Sequence, residues 1–168
     1  MKRKAFTLVE LMIVVSILGI LGAIVLPMFQ NQTLLAKESA AQDTLRSLRS
    51  QCELYKLDHN GLGPGYNYTP MGTLTNTVAA KIVEQFTCTT DIKGVSSTTT
   101  TKTAVFTCGP YFMKMPVNPF NDKRDIKLVA DFATEADKST GWLFKRDTCE
   151  FKLNWTGTDS KGANYLDY

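Results

Sequence analysis

Histidine is almost missing from this chain: His59 stands alone among 168 residues. The four cysteines, Cys52, Cys88, Cys108 and Cys149, lie far apart with no Cys-x-x-Cys pair. Structural zinc draws its ligands from cysteine and histidine at short spacings, so zinc is not expected. No Gly-rich phosphate loop and no nucleophile motif accompanies His59, which sits among helix breakers in "HNGLGPG". A capping or solvated role is expected for it rather than catalysis, and the chain does not read as an enzyme. Basic stretches interleaved with aromatics, the footprint of nucleic-acid binding, are also absent. Of 19 basic side chains three are Lys2, Arg3 and Lys4, and the other 16 balance 16 acidic ones. The formal charge of +3 is therefore a leader rather than a binding face, and no nucleic-acid partner is expected.

Charge itself is missing from Leu11 to Ala36. About 20 predominantly apolar residues suffice for a membrane helix, and a basic flank keeps the N-terminus cytoplasmic. A cleaved secretory signal would have a shorter apolar region of about 7–15 residues and a small-residue cleavage site. A single-pass topology follows, with the remainder of the chain outside the cytoplasm. There, an even number of cysteines reads as two disulfides.

Beyond Pro27, "NQTLLAKESAAQDTLRSLRSQCELYKLD" contains neither glycine nor proline. Leu34, Ala41, Leu45, Leu48, Cys52 and Tyr55 fall on one helical stripe, with Lys37, Asp43, Arg46, Arg49 and Glu53 opposite. The helix should end near Asp58, where the breakers begin. Its first half is apolar all round and its second amphipathic. Gly19, Gly22 and Pro27 interrupt the apolar half, either as a tolerated kink or as a segment built to flex.

A second helix is expected in "TNTVAAKIVEQF", capped by Thr75 or Asn76, with Val78, Ile82 and Phe86 on one side. "SSTTTT" and "TKT" read as a loop or edge hairpin. "IKLVADFA" reads as a strand, and "GWLFKRDTCEFKLNW" as a hairpin turning at Arg146-Asp147. On that hairpin Trp142 and Phe144 share a face. Cys149, Phe151, Leu153 and Trp155 alternate with polar residues, as in an antiparallel sheet laid against a helix. The fold class is α+β, a long helix on a small antiparallel sheet. Cys52 and Cys149 point into one interface and Cys88 and Cys108 flank the Thr-rich stretch. The pairing expected is Cys52–Cys149 with Cys88–Cys108, one of three connectivities, with free buried thiols as the alternative.

The stretch "KRKAFTLVELMIVVSILGILGAIVLPMF" resembles the N-terminus of type IV pilins and pseudopilins: a basic leader, a small residue, Phe, Thr, Leu, then one glutamate. The resemblance implies a pilin-like fold divided into a leader at 1–5, a transmembrane and filament-core helix at 6–29, and a head at 30–168 that includes the amphipathic helix half at 30–58. It further implies cutting between Ala5 and Phe6 by a prepilin peptidase, with methylation of the Phe6 amine. Ala5 stands where the family usually has glycine. Glu10, costly in a membrane, would pair with the N-terminal amine of the next subunit.

"CELYKLDHNG", "GPYFMKMPVNPFND" and "TGTDSKGANYLDY" resemble, more loosely, the major pseudopilins of type II secretion systems. The long Cys88–Cys108 insertion departs from that pattern. The implied function is a structural subunit of a secretion pseudopilus, a homo-oligomeric helical filament. It would meet other pseudopilins and an inner-membrane assembly platform, with its head in the periplasm. A type IV pilus subunit is the alternative. The tail of such proteins often binds calcium, and here Asp159 and Asp167, with Ser160 or Asn164, would supply the oxygens.

Overall fold

The computed structural model describes residues 6–68 and 74–168. The chain divides into two units, Met1–Lys37 and Glu38–Tyr168. Helix α1, Leu8–Asp58, contributes to both.

In the first unit α1 begins on a reciprocal pair. The Thr7 hydroxyl accepts from the Glu10 amide at 3.2 Å, and a Glu10 carboxylate oxygen accepts from the Thr7 amide at 2.9 Å. This is a Thr-x-x-Glu capping box, which satisfies backbone N–H groups that a helix start leaves without partners. From there α1 runs unbroken through Gly19, Gly22 and Pro27. A methyl built on either glycine would meet no atom within 4 Å. The apolar stretch is long enough to cross a membrane, and none of it is buried within the chain. Its hydroxyls are turned inward: Ser16 donates to the Met12 carbonyl and Thr33 to the Phe29 carbonyl, each at 2.8 Å.

In the second unit α1 turns one face to a core. Ala41, Leu45, Leu48, Cys52 and Tyr55 are all fully buried, as their spacing predicts. Leu34, placed on the same stripe, belongs to the first unit and is exposed. After α1 come β1 (Tyr66–Tyr68) and β2 (Leu74–Asn76), antiparallel, then α2 (Ala79–Thr87). Thr75 and Asn76 lie in β2 and do not cap α2, whose N-cap is Val78 with no side-chain bond. The Thr75 hydroxyl is used across the β1–β2 pair instead, on Asn67. Val78 is exposed, while Ile82 and Phe86 enter the core.

The second sheet contains β3 (Ile126–Leu128), β4 (Trp142–Lys145) and β5 (Glu150–Leu153), in that order, with the short helix α3 (Phe132–Glu135) between β3 and β4. The β4–β5 hairpin is antiparallel, with Phe144 opposite Phe151. β3 adds a parallel edge, with Ile126 opposite Trp142. The hairpin loop is longer than expected, running from Arg146 to Cys149 between Lys145 and Glu150. Cys149 closes it at φ 52°, with its amide donating to the Arg146 carbonyl. Trp142, Phe144, Phe151 and Leu153 face the α1 stripe and α2 in one buried cluster. Burying each such side chain contributes about 1.5–3 kcal/mol, so this cluster dominates the stability of the head.

The Thr-rich stretch folds back on buried Thr89 and Thr90. Thr90 pairs with Ser96 on one side and Cys108 on the other.

Candidate functional site

Three groups of side chains carry the chemistry singled out in the sequence. The first lies at the start of α1. Ala5 falls outside the described residues. Phe6 is exposed, and Glu10 belongs to the capping box with Thr7, whose hydroxyl also donates to Glu10 at 2.8 Å. The sequence reading passed over Thr7, although Thr-x-x-Glu ahead of an apolar run was legible. Leu8, Leu11, Met12 and Val15 give this part of α1 an exposed apolar flank.

The second group is the cysteines, which the structure holds as thiols. Cys52 is fully buried in the core cluster, and Cys149 packs against that cluster from the hairpin loop. Burial pushes both thiols above their ordinary range, and Cys149 faces the turn of α1 that carries Cys52, Glu53 and Lys56. Gly63 makes room for it: a β-carbon built there falls well inside contact distance of Cys149 Sγ. Elsewhere, backbone pairing sets Thr90, not Cys88, opposite Cys108. The Cys108 sulfur lies 3.7 Å from the Asp58 carbonyl at the end of α1.

That helix end also buries His59. Its ring stacks on Tyr55 with centroids 3.8 Å apart, Nδ1 meets the Tyr55 carbonyl at 2.7 Å, and Nε2 meets the Thr90 hydroxyl at 2.9 Å. Nδ1 must donate to a carbonyl, and in the neutral ring that burial favours Nε2 accepts from the Thr90 hydroxyl. Burial lowers its pKa, against opposing contributions from the Tyr55 carbonyl, Asp58 and Asp91. His59 thus closes the helix end, as a cap, and is not solvated.

The third group is the C-terminal loop. Asp159 Oδ1 accepts from the amides of Lys161 and Ala163, both at 2.8 Å, and Oδ2 accepts from the Tyr168 hydroxyl at 2.8 Å. Partial desolvation pushes its carboxyl up, but these bonds more than offset that and leave it below the ordinary range. Asp167 is exposed. The two aspartates share an open cleft with Arg46, Arg49 and Lys161. Arg49, expected on a solvated face, instead donates to the carbonyls of Phe151 and Tyr168.

Next to them lies Glu38, a residue to which the sequence reading assigned no role. It is only 5% exposed. One oxygen accepts from the Ser160 amide at 2.9 Å and the Tyr165 hydroxyl at 3.1 Å, the other from the Ser160 hydroxyl at 2.6 Å. Among the described residues no three His, Cys, Asp or Glu side chains gather as a metal site would require.

Comparison with known proteins bears on the stretch that holds the first group. Residues 1–26 match the prokaryotic N-terminal methylation motif. The chain is 39% identical over 85 residues to prepilin peptidase-dependent protein D of Escherichia coli, covering 49% of this chain and 58% of that protein. It is 36% identical over 85 residues to the type IV major pilin protein PilE1 of Neisseria gonorrhoeae, covering 51% and 39%. It is 38% identical over 58 residues to the type II secretion system core protein G of Pseudomonas aeruginosa, covering 34% and 41%. The chain thus spans about half the length of the curated relatives it matches. No solved structure matches it. The chain carries the prepilin methylation motif, and its relatives are type IV pilins and type II pseudopilins.

Proposed function

We propose that this chain is a structural, non-enzymatic subunit that polymerises through the first half of α1 into a helical filament, a type II secretion pseudopilus that helps drive protein export. The observation that carries this reading is the run of α1 from Leu8 to Phe29. It is apolar, exposed on every side, and opened by a single carboxylate at Glu10. Such a surface requires either lipid or copies of itself, since large exposed apolar patches on a soluble protein are interaction sites.

Before assembly the segment spans the inner membrane once, with Lys2, Arg3 and Lys4 cytoplasmic and the head periplasmic. A prepilin peptidase removes residues 1–5 after Ala5 and methylates Phe6. In the filament, Glu10 exchanges its bonds with Thr7 for the Phe6 amine of a neighbouring copy, which fixes the axial register. Gly19, Gly22 and Pro27 lower the cost of bending or unwinding α1 as a subunit leaves the membrane. In an oxidising compartment Cys52 and Cys149 join, as do Cys88 and Cys108, and bind the hairpin and the Thr-rich loop to the rest of the head. The partners are further copies, sibling pseudopilins and the membrane assembly platform.

A second reading, a type IV pilus subunit, is favoured by the longer alignment with the major pilin PilE1, 85 residues against 58 for core protein G. A deletion strain separates the two. Exoproteins retained in the periplasm support the pseudopilus, and normal secretion with loss of surface fibres supports the pilus. A mature protein whose N-terminus is not Phe6 would remove both.

A further inference from the structure

The C-terminal loop poses a physical question: what keeps residues 156–168, with little regular structure, folded against the head? A divalent cation is one solution, and calcium asks for six to eight oxygen ligands with lone pairs turned toward a common point. The side chains here are arranged in the opposite sense. Asp159 is surrounded by two amides and a hydroxyl, all donors. Its bonds to Lys161 and Ala163 make it the organiser of its own turn, with the Gly162 amide closing back on the Asp159 carbonyl at 3.0 Å. Asp167 sits in a cleft that already contains three cationic side chains, Arg46, Arg49 and Lys161. A divalent cation there would meet repulsion, and the Asp159 oxygens it needs are already bonded to protein hydrogens.

Glu38 supplies what a cation would otherwise supply. An ionised glutamate is acceptor-only, and donors from two separate positions of the loop converge on it: the amide and hydroxyl of Ser160, and the hydroxyl of Tyr165. Buried carboxylates are tolerated only when their lone pairs are satisfied, so loop and glutamate depend on each other. Tyr165 adds an apolar anchor: its ring packs edge-on against Phe120 at 4.9 Å and Tyr168 at 5.5 Å. We infer that Glu38 is the closing element of this loop, a latch from α1 that holds residues 156–168 against the head with no divalent cation.

The test uses the full-length chain in detergent micelles, followed by hydrogen exchange at the Ser160 and Tyr165 amides and by thermal melting. Each is measured in calcium and in chelator. For the wild-type protein, exchange and Tm are expected to be the same in both. Glu38→Ala removes the acceptor of three loop hydrogen bonds, so loop exchange should accelerate about tenfold or more. Glu38→Gln can keep its oxygen on the Ser160 amide and the Tyr165 hydroxyl and turn its NH2 to the Ser160 hydroxyl, which also accepts, so it should accelerate loop exchange less than Glu38→Ala. If the Glu38 variants fail to fold, Ser160→Ala and Tyr165→Phe each remove one donor and should accelerate loop exchange while leaving the β4–β5 core protected.

Asp159→Asn keeps an oxygen for the Lys161 and Ala163 amides and should leave calcium sensitivity at zero. Two results would overturn the inference. One is a wild-type Tm or loop protection that rises with calcium and loses that rise in Asp159→Asn. The other is unchanged loop protection in Glu38→Ala together with Ser160→Ala.

Discussion

Gly63 offers the sharpest test of how the hairpin loop meets the rest of the head. The residue is buried, and a β-carbon there would overlap the sulfur of Cys149. Gly63→Ala is favoured by about 0.4–1 kcal/mol through the unfolded chain, because alanine has fewer conformations to lose. The overlap costs more: forcing one extra carbon into a packed site typically costs about 1–3 kcal/mol. Cys149 has little room to withdraw. Its backbone is held at φ 52° and its sulfur lies 3.5 Å from the Arg146 carbonyl. The net expectation is a loss of about 1–2 kcal/mol, a fall in Tm of a few degrees.

Cys149→Ala removes the sulfur and keeps the strained backbone, so Gly63→Ala in that background should cost nothing or stabilise slightly. The assay is a double-mutant cycle by chemical denaturation under reducing conditions, with a coupling of about 1–2 kcal/mol expected. Additivity of the two changes within about 0.5 kcal/mol would refute the contact.

Two further predictions concern the helix ends. His59 is neutral in the folded head and its pKa lies below the ordinary 6.5. Stability should therefore be flat above about pH 6.5 and fall as the pH drops below it, because the unfolded chain takes up the proton first. The slope cannot exceed about 1.4 kcal/mol per pH unit for one group. His59→Gln should remove this part of the slope below about pH 6.5, and an unchanged slope would show that His59 does not titrate this way. At the other end, Thr7→Val should cost the helix start about 0.5–2 kcal/mol, with Thr7→Ser restoring it, as read by exchange at the first amides of α1. Glu10→Ala should insert into the membrane normally and yield no filaments. Normal yield from it would leave Glu10 as a cap alone.

How far these features could be read in advance depended on their range. The stripe from Ala41 to Tyr55 was legible because a helix repeats its burial every few residues. The Trp142–Leu153 hairpin was legible because a strand alternates. Thr75 and Asn76 misled because threonine and asparagine suit a cap and a strand pairing alike, and the choice fell to Asn67 on β1. The parallel placement of β3 beside β4 left no mark in either strand's own pattern. Glu10 drew attention as an anomaly in an apolar run, and its nearest partner, Thr7, was overlooked for a more distant one. Glu38 could not have been found locally. Nothing around it distinguishes it from other polar helix residues, since its donors lie 122 and 127 residues away.

That separation has a bearing on how the head comes into being. A contact between residues so far apart forms late, because loop-closure entropy is spent before it is rewarded. While a chain is synthesised from its N-terminus, Glu38 emerges early and waits for Ser160 and Tyr165. Until they arrive, the seam along α1 contains an acid with no protein donors, and water must serve it. Closure of this seam thus waits on residues 160 and 165. A chain stopped before residue 160 would leave that seam open, with water in place of the Ser160 and Tyr165 donors.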